Sequence, residues 1–448
     1  MEQLKTYYPA KLVEVELSQE IMDFEDLDDY RYLNILARLH DEPLGLIRLS
    51  IIDGRCSADQ IKHGIAKSLN WPVLKHLIED GLAEPLNGTT LDISSLVGTS
   101  HPVWDEPLPA VSVIVCTRNR PDDLQRCLKS LEEAPYPDCE IIVVDNAPSD
   151  ERTKEMIDNH FPGMRYVREP RPGLDWARNR GIAEACGEII AYADDDVLVD
   201  RNWILAIGKA FVENPNIMGL AGLVLPSELE TPAQVLFEQR GGFSRGFEQK
   251  WYQIDPAQSG NASLFLGTGN IGTGANMAFR RSLFTDIGLF DPALDAGTVS
   301  ENCGDLDIFY RTLHAGHAIL YEPQALVFHR HRREMEQFAD QSKKYGIGLA
   351  AYHGKCIMEY GKVRLRFAAF HFWWLWEWYF KQLVRSYTRP TRYPRELLWS
   401  EFRGYILGIT RYRKAKKLAE KISREHEVGV YQEHILGGNP RLEQGTAH

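Results

Sequence analysis

The sequence is poor in the features that mark secreted scaffolds, zinc ribbons and membrane spans. Its seven cysteines (Cys56, Cys116, Cys127, Cys139, Cys186, Cys303, Cys356) stand singly in 448 residues, with no Cys-x-x-Cys pair and an odd total. That pattern argues against a cysteine zinc cage and against a disulfide framework, and it suits a reducing compartment. The longest aromatic-apolar run, FAAFHFWWLWEWYF at 367–380, carries His371 and Glu377 and falls short of the roughly 20 residues that span a bilayer. The opening MEQLKTYYPAKLVEVEL has no basic-then-apolar signal segment. Repeats and low-complexity tracts are also missing. Positive charge is in deficit, with 51 Lys and Arg against 63 Asp and Glu, a net of −12. Such a balance argues against a protein that coats nucleic acid over its whole surface. A cytoplasmic protein without a transmembrane helix is the expectation. With 44% hydrophobic residues the chain can bury a core, and its length predicts two or three domains of roughly 100–200 residues.

Three textures divide the chain. Residues 1–105 mix short apolar runs (LNILARLH, LGLIRLSII) with acidic stretches such as DFEDLDDY, and end in the proline-punctuated linker HPVWDEPLPA; they read as a small N-terminal α+β accessory domain. In 106–335 apolar strands alternate with helical segments, the signature of a parallel sheet covered by helices. VSVIVC (111–116), EIIVVDN (140–146), RYVRE (165–169) and EIIAYADDD (188–196) read as strands, and DWARNRGIAEACG as a helix stopped by Gly187. Polar clusters fall just past the carboxyl ends of these strands, the edge where open α/β sheets bind ligands. Residues 336–448 read as a helical, basic and aromatic region. Between 360 and 417 fourteen basic residues face three acidic ones, near +11, which leaves about −23 for the remainder.

Asp194, Asp195 and Asp196 close the fourth strand. Three adjacent carboxylates repel one another and call for a cation, and hard oxygen ligands suit Mg²⁺ or Mn²⁺. One aspartate would suffice for a helix cap.

Six segments then stand in one order over 111–335: VSVIVCTRNRPDDLQRCLKSL, IIVVDNAPSD, GLDWARNRGIAEACGEIIAYADDDV, GTGANMAFRR, GLFDPAL and GDLDIFYRTLHAGHAILYEPQALVFHRHR. Together they resemble a bacterial family 2 glycosyltransferase, inverting and of GT-A fold. The resemblance implies an α/β domain of the nucleotide-diphospho-sugar transferase type, with a mixed, mainly parallel sheet covered by helices. It implies a nucleotide-sugar donor held by Thr117, Arg118, Arg120, Asp145, Arg178, Asp194, Asp195 and Asn276. Asp145 matches the position that accepts from a uracil ring, Asp194 the ribose contact, and Asp196 the metal ligand for Mn²⁺ or Mg²⁺. His329 matches a further metal ligand in some relatives. Asp305 keeps the position of the base that deprotonates the acceptor hydroxyl. The family's adjoining glutamate is replaced by Gly304, and Glu301 lies close enough in sequence to substitute.

The reading is thus a metal-dependent inverting glycosyltransferase using a UDP-linked donor and a glycan, lipid-linked or other acceptor. A nucleotidyltransferase and a non-catalytic nucleotide-sugar-binding subunit are the alternatives; the absence of a Gly-rich lysine loop counts against the first. The segment 364–385, with four tryptophans between basic residues, suits either a membrane surface, on the inner face, or packing as an ordinary helix. No nucleic-acid-binding module is recognisable.

Overall fold

The computed structural model describes residues 8–81, 92–100, 104–254, 267–361, 364–388 and 393–426. Lys362, Arg389 and Arg392 of the basic stretch lie outside the described residues, as do the side chains of Arg364, Arg366, Trp374 and Trp378. The chain forms two compact units: Met1–Pro107 with Leu225–Glu248 and Phe328–Met335, and Leu108–Val224 with Gln249–Val327 and Glu336–His448.

The first unit opens with β1 (Ala10–Glu16), β2 (Tyr32–Leu39) and β3 (Glu42–Ser50), in the order β1-β2-β3. β1 runs parallel to β2, and β2 pairs with β3 as a hairpin. α1 (Ala58–Ser68) starts at Ser57, whose side chain and that of Gln60 form a capping box. Ile61 and Ile65, one turn apart, are buried with Leu33, Ile35 and Ile47 of the sheet and Val73 of α2 (Asn70–Glu79).

In the second unit β4 (Val111–Thr117), α3 (Pro121–Glu132), β5 (Cys139–Asn146), α4 (Arg152–His160), β6 (Arg165–Glu169), α5 (Leu174–Glu184) and β7 (Ile189–Asp194) alternate as the sequence pattern requires. After β8 (Val197–Val199), α6 (Trp203–Glu213) and β9 (Ile217–Pro226), the chain visits the first unit through α7 (Pro232–Gln239). It returns as β10 (Lys250–Tyr252), β11 (Asn276–Arg280), α8 (Leu283–Ile287), α9 (Gly304–His314) and β12 (Ala318–His329). The sheet order is β10-β12-β9-β11-β7-β4-β5-β6, with β8 alongside β12. β4 is parallel to β5 and β7, and β5 to β6, whereas β11 runs antiparallel to β7 and β9. The expected mixed, mainly parallel sheet is therefore present. Val113, Ile114, Val115, Ile142, Val143 and Val144 are fully buried, as strands covered on both faces must be. α5 ends three residues before the expected stop at Gly187. A Cβ there would stand 2.6 Å from the Ser112 nitrogen, so that glycine serves a close backbone approach.

α10 (Met335–Glu359), α11 (Arg364–Trp374), a π-helical stretch (Leu375–Phe380), α12 (Lys381–Thr388), α13 (Arg395–Gly408) and α14 (Arg411–Glu425) complete the chain. Glu336–His448, read from sequence as a separate region, falls in the same compact unit as the sheet. A buried ion network accounts for the union. Lys355 of α10 lies 2.7 Å from both Asp291 and Asp307. Asp307 also accepts from Arg311 at 2.8 Å, and Tyr412 of α14 donates to Asp291 at 2.9 Å. The carboxylates on either side hold the Lys355 ammonium well above its ordinary range, against the cost of burial.

Candidate active site

The parallel register sets Thr117 opposite Asp145 and Cys116 opposite Asp194. The carboxyl ends of β5, β4 and β7 thus present Asp145, Thr117 and the three aspartates along one edge. Asp145 is fully buried. Its Oδ2 accepts from the Tyr166 hydroxyl at 3.0 Å, and its Oδ1 has no hydrogen-bond partner among the described residues. Burial pushes this carboxyl up to about 6, with the Tyr166 hydrogen bond and Arg168 pulling the other way.

Asp195 accepts from the Thr117 hydroxyl at 2.7 Å and from Arg120 at 2.8 Å. Arg120 also reaches Asp196 at 3.1 Å and Asp123 at 2.8 Å. Burial pushes Asp195 up to about 7, opposed by Arg120 and reinforced by Asp196. The repulsion expected of the aspartates is therefore met in part by an arginine. Thr117 and Arg120, expected to hold a nucleotide, are instead engaged with the aspartates; Arg118 is exposed just beyond β4. Hard carboxylate oxygens beside one compensating cation fit a divalent metal. Mg²⁺-type sites commonly take one or two protein carboxylates and draw their other ligands from substrate phosphates.

Asp305 sits in the first turn of α9. Its Oδ2 accepts from the Gly274 N–H and its Oδ1 from the Leu306 N–H, both at 2.8 Å. Burial raises it above the usual carboxylate range, Asp295 adds to the effect and Arg178 opposes it. The structure supplies a physical reason for Gly304. A Cβ there would lie 2.4 Å from Asp175 Oδ2 and 2.6 Å from Asp295 Oδ2. Two aspartates from elsewhere in the chain thus fill the space a glutamate side chain would enter. Glu301, the substitute considered from sequence proximity, is not the group that does so. Arg178 binds both aspartates through Nη1, at 2.9 Å to Asp175 and 2.6 Å to Asp295. Burial and then the Asp295 charge push Asp175 well above the carboxylate range.

Two further expectations change. Arg178 is buried in this ion cluster, and its Nη1 is spent on the two aspartates rather than turned to a nucleotide. Asn276 is fully buried. Its amide donates to the carbonyls of Leu223 (2.9 Å) and Ala325 (2.7 Å) and accepts from the Trp203 indole (2.9 Å). It therefore ties β9, β11 and β12 together instead of contacting a sugar. Within the first unit, His329 packs its ring near Phe243 and its Nδ1 3.2 Å from Nδ1 of His331. Asp175, Asp295 and Tyr166 were not singled out by sequence. The first two lie in or beside quoted motifs, but only folding brings them to Gly304.

The Glycosyl transferase family 2 profile matches residues 112–288. The chain carries a glycosyl transferase family 2 domain. The domain holds the strand-end aspartates and Asn276, and Asp305 follows it. A pre-mycofactocin glycosyltransferase of Mycobacterium tuberculosis is 26% identical over 237 residues, covering 53% of this chain and 46% of that protein. A glucosyl-dolichyl phosphate glucuronosyltransferase of Haloferax volcanii is 21% identical over 230 residues, covering 49% and 69%. The chain thus spans about half the length of the mycobacterial relative. Among solved structures, a mannosyltransferase from Pyrobaculum calidifontis in complex with GDP-Man and Mn²⁺ aligns at 15% identity and a TM-score of 0.38, covering 74% of this chain and 84% of that one.

Proposed function

We propose that the chain is an inverting glycosyltransferase that takes a sugar from a UDP-linked donor, with Mn²⁺ or Mg²⁺, and passes it to a glycan or lipid-linked acceptor. The observation that carries this reading is Asp145, a buried carboxylate at the strand-end edge with one oxygen on Tyr166 and the other without a hydrogen-bond partner among the described residues. A buried acceptor left unsatisfied is costly, and the imide N–H of a uracil ring supplies the missing donor. Asp196 and Asp195 would hold the metal, whose charge Arg120 replaces in part. Bound there, the ion supplies Lewis-acid stabilisation of charge on the leaving diphosphate. Asp305, fixed by the Gly274 and Leu306 amides, accepts the acceptor's hydroxyl proton. Its raised affinity for a proton strengthens it as a base.

The test is a panel of nucleotide sugars with Mn²⁺, reading free nucleoside diphosphate with and without EDTA. UDP release that EDTA abolishes is expected; no release from any donor, with Asp196→Ala indistinguishable from the parent, would sink the reading.

Residues 364–385 add a proposed membrane contact. His371 and Tyr379 turn toward Tyr405, whereas Phe372, Trp373, Trp376 and Phe380 are each at least half exposed. One side of the segment packs and the other offers indoles beside cations, the composition of an interfacial helix. Among the described residues no helix is long and apolar enough to cross a membrane. Flotation with anionic vesicles at low salt should carry the parent chain upward and leave Trp373→Ser/Trp376→Ser behind. Equal flotation of both would reject the contact.

A further inference from the structure

The first unit contains a cluster of ligand-bearing side chains that sugar transfer does not use. β2 and β3 are joined by His40 and Asp41 alone, both in the left-handed region at φ 54° and 68°. A two-residue hairpin of this twist ordinarily favours asparagine and glycine. Glu16 holds it, its carboxylate accepting from the backbone N–H groups of His40 (3.0 Å) and Asp41 (2.8 Å). At the end of α2, His76 and Asp80 stand one helical turn apart and so share a face. The side chains of His40, His76 and Asp80 are 2%, 6% and 5% exposed.

Three atoms converge in this interior. His40 Nδ1 lies 3.0 Å from His76 Nε2 and 2.8 Å from Asp80 Oδ2, and His76 Nε2 lies 3.2 Å from Asp80 Oδ2. Among the described residues this is the one group of three histidine, cysteine or acidic side chains with ligand atoms all within 4.8 Å. Outer oxygens face the other ring nitrogens. Thr99 donates its hydroxyl proton to the Leu96 carbonyl at 2.7 Å, so its oxygen accepts from His40 Nε2 at 2.9 Å. With that contact made at Nε2, Nδ1 is the nitrogen that faces the convergence. His76 Nδ1 stands 3.4 Å from Glu42 Oε2, on the side of the ring away from the convergence.

Two imidazole nitrogens and a carboxylate oxygen within about 3 Å of one another need positive charge among them. A single proton bridges one pair of these atoms; a metal ion satisfies all three. The helix dipole strengthens the need, because Asp80 places negative charge at the C-terminal end of α2. Ligands at about 2.05 Å from a tetrahedral zinc stand about 3.3 Å apart, close to the triangle observed. Metal-bound histidines commonly give their other ring N–H to an oxygen that orients them, the part Thr99 and Glu42 play. Imidazole ligands favour zinc and its neighbours over Mg²⁺.

We propose that His40, His76 and Asp80 bind one zinc ion that clasps the β2–β3 turn to the end of α2, a site built entirely from residues of the first unit. The full chain, purified without chelator, is assayed for metal, then stripped and titrated with Co²⁺. The expected results are about one equivalent of zinc and, with Co²⁺, the visible absorption of a four-coordinate ion lacking thiolate bands. Asp196→Ala keeps that absorption, whereas His76→Gln and Asp80→Asn lose it. Thr99→Val keeps the volume, removes the orienting hydroxyl and weakens metal affinity about 10- to 100-fold. If the ligand variants fail to fold, the parent decides through its Co²⁺ spectrum and a zinc-dependent rise in melting temperature. The proposal is overturned if the parent retains no stoichiometric metal and develops no such spectrum, if the spectrum survives loss of His76 and of Asp80, or if Asp196→Ala removes it.

Discussion

Asp145→Asn separates what the buried carboxylate costs the fold from what it contributes to binding. Burial raises this group from its ordinary value of 3.8 to about 6. The native state therefore keeps a proton that the unfolded chain has released. The linked stability is fully present below pH 3.8 and is lost as pH rises through about 6. At about 1.4 kcal/mol per unit, the whole shift costs about 3 kcal/mol above that window. Between pH 5 and pH 8 the portion lost is about 1.4 kcal/mol. Asparagine does not titrate, and its side-chain oxygen can still accept from Tyr166. Denaturant unfolding of both proteins at pH 5 and pH 8 should therefore show the variant gaining on the parent by about 1.4 kcal/mol, other titrations cancelling in the difference. Donor affinity should move the opposite way. Losing a charged acceptor for the base costs about 1.5–3 kcal/mol, or roughly 10- to 150-fold in the UDP dissociation constant by calorimetry at pH 8. A stability difference that ignores pH, or a variant that binds UDP as tightly as the parent, would refute the assignment.

Asp305→Asn should lower turnover by about 10²–10⁴-fold while leaving UDP affinity unchanged, and in the parent kcat/KM should rise with pH above the ordinary carboxylate range; equal loss in binding and turnover would point to a structural role. Gly304→Ala must push against carboxylates that Arg178 holds in place, so both activity and melting temperature should fall, and an unchanged variant would contradict the packing around α9. Lys355→Met leaves Asp291 and Asp307 without their shared ammonium and should destabilise the second unit by about 3–5 kcal/mol in chemical denaturation; a neutral result would show that α10 does not anchor the helix that carries Asp305.

The strands of the second unit were legible because a buried parallel sheet demands continuous Val and Ile runs, and VSVIVC, EIIVVDN and EIIAYADDD have no other economical use. Residues placed by strand ends were legible for the same reason: once β4, β5 and β7 are parallel neighbours, Thr117, Asp145 and the aspartates must share an edge. Asn276 was less legible, since a glycine-rich turn followed by an amide reads alike whether the amide meets a sugar or three strands of its own sheet. The basic tail was readable in composition but not in orientation, because its two sides differ only in what packs against them.

Linear order determined the strand-end aspartates, the motif series and the place of Asp305, since each depends on local periodicity or short spacing. Only the tertiary structure decided that Asp175 and Asp295 fill the space beside Gly304, that Arg178 binds them both, and that His40 meets His76 and Asp80. Those side chains come from separate elements. Their charges are costly to bury alone and tolerable together, and no pattern along one strand or helix records which of them the fold will bring within 3 Å.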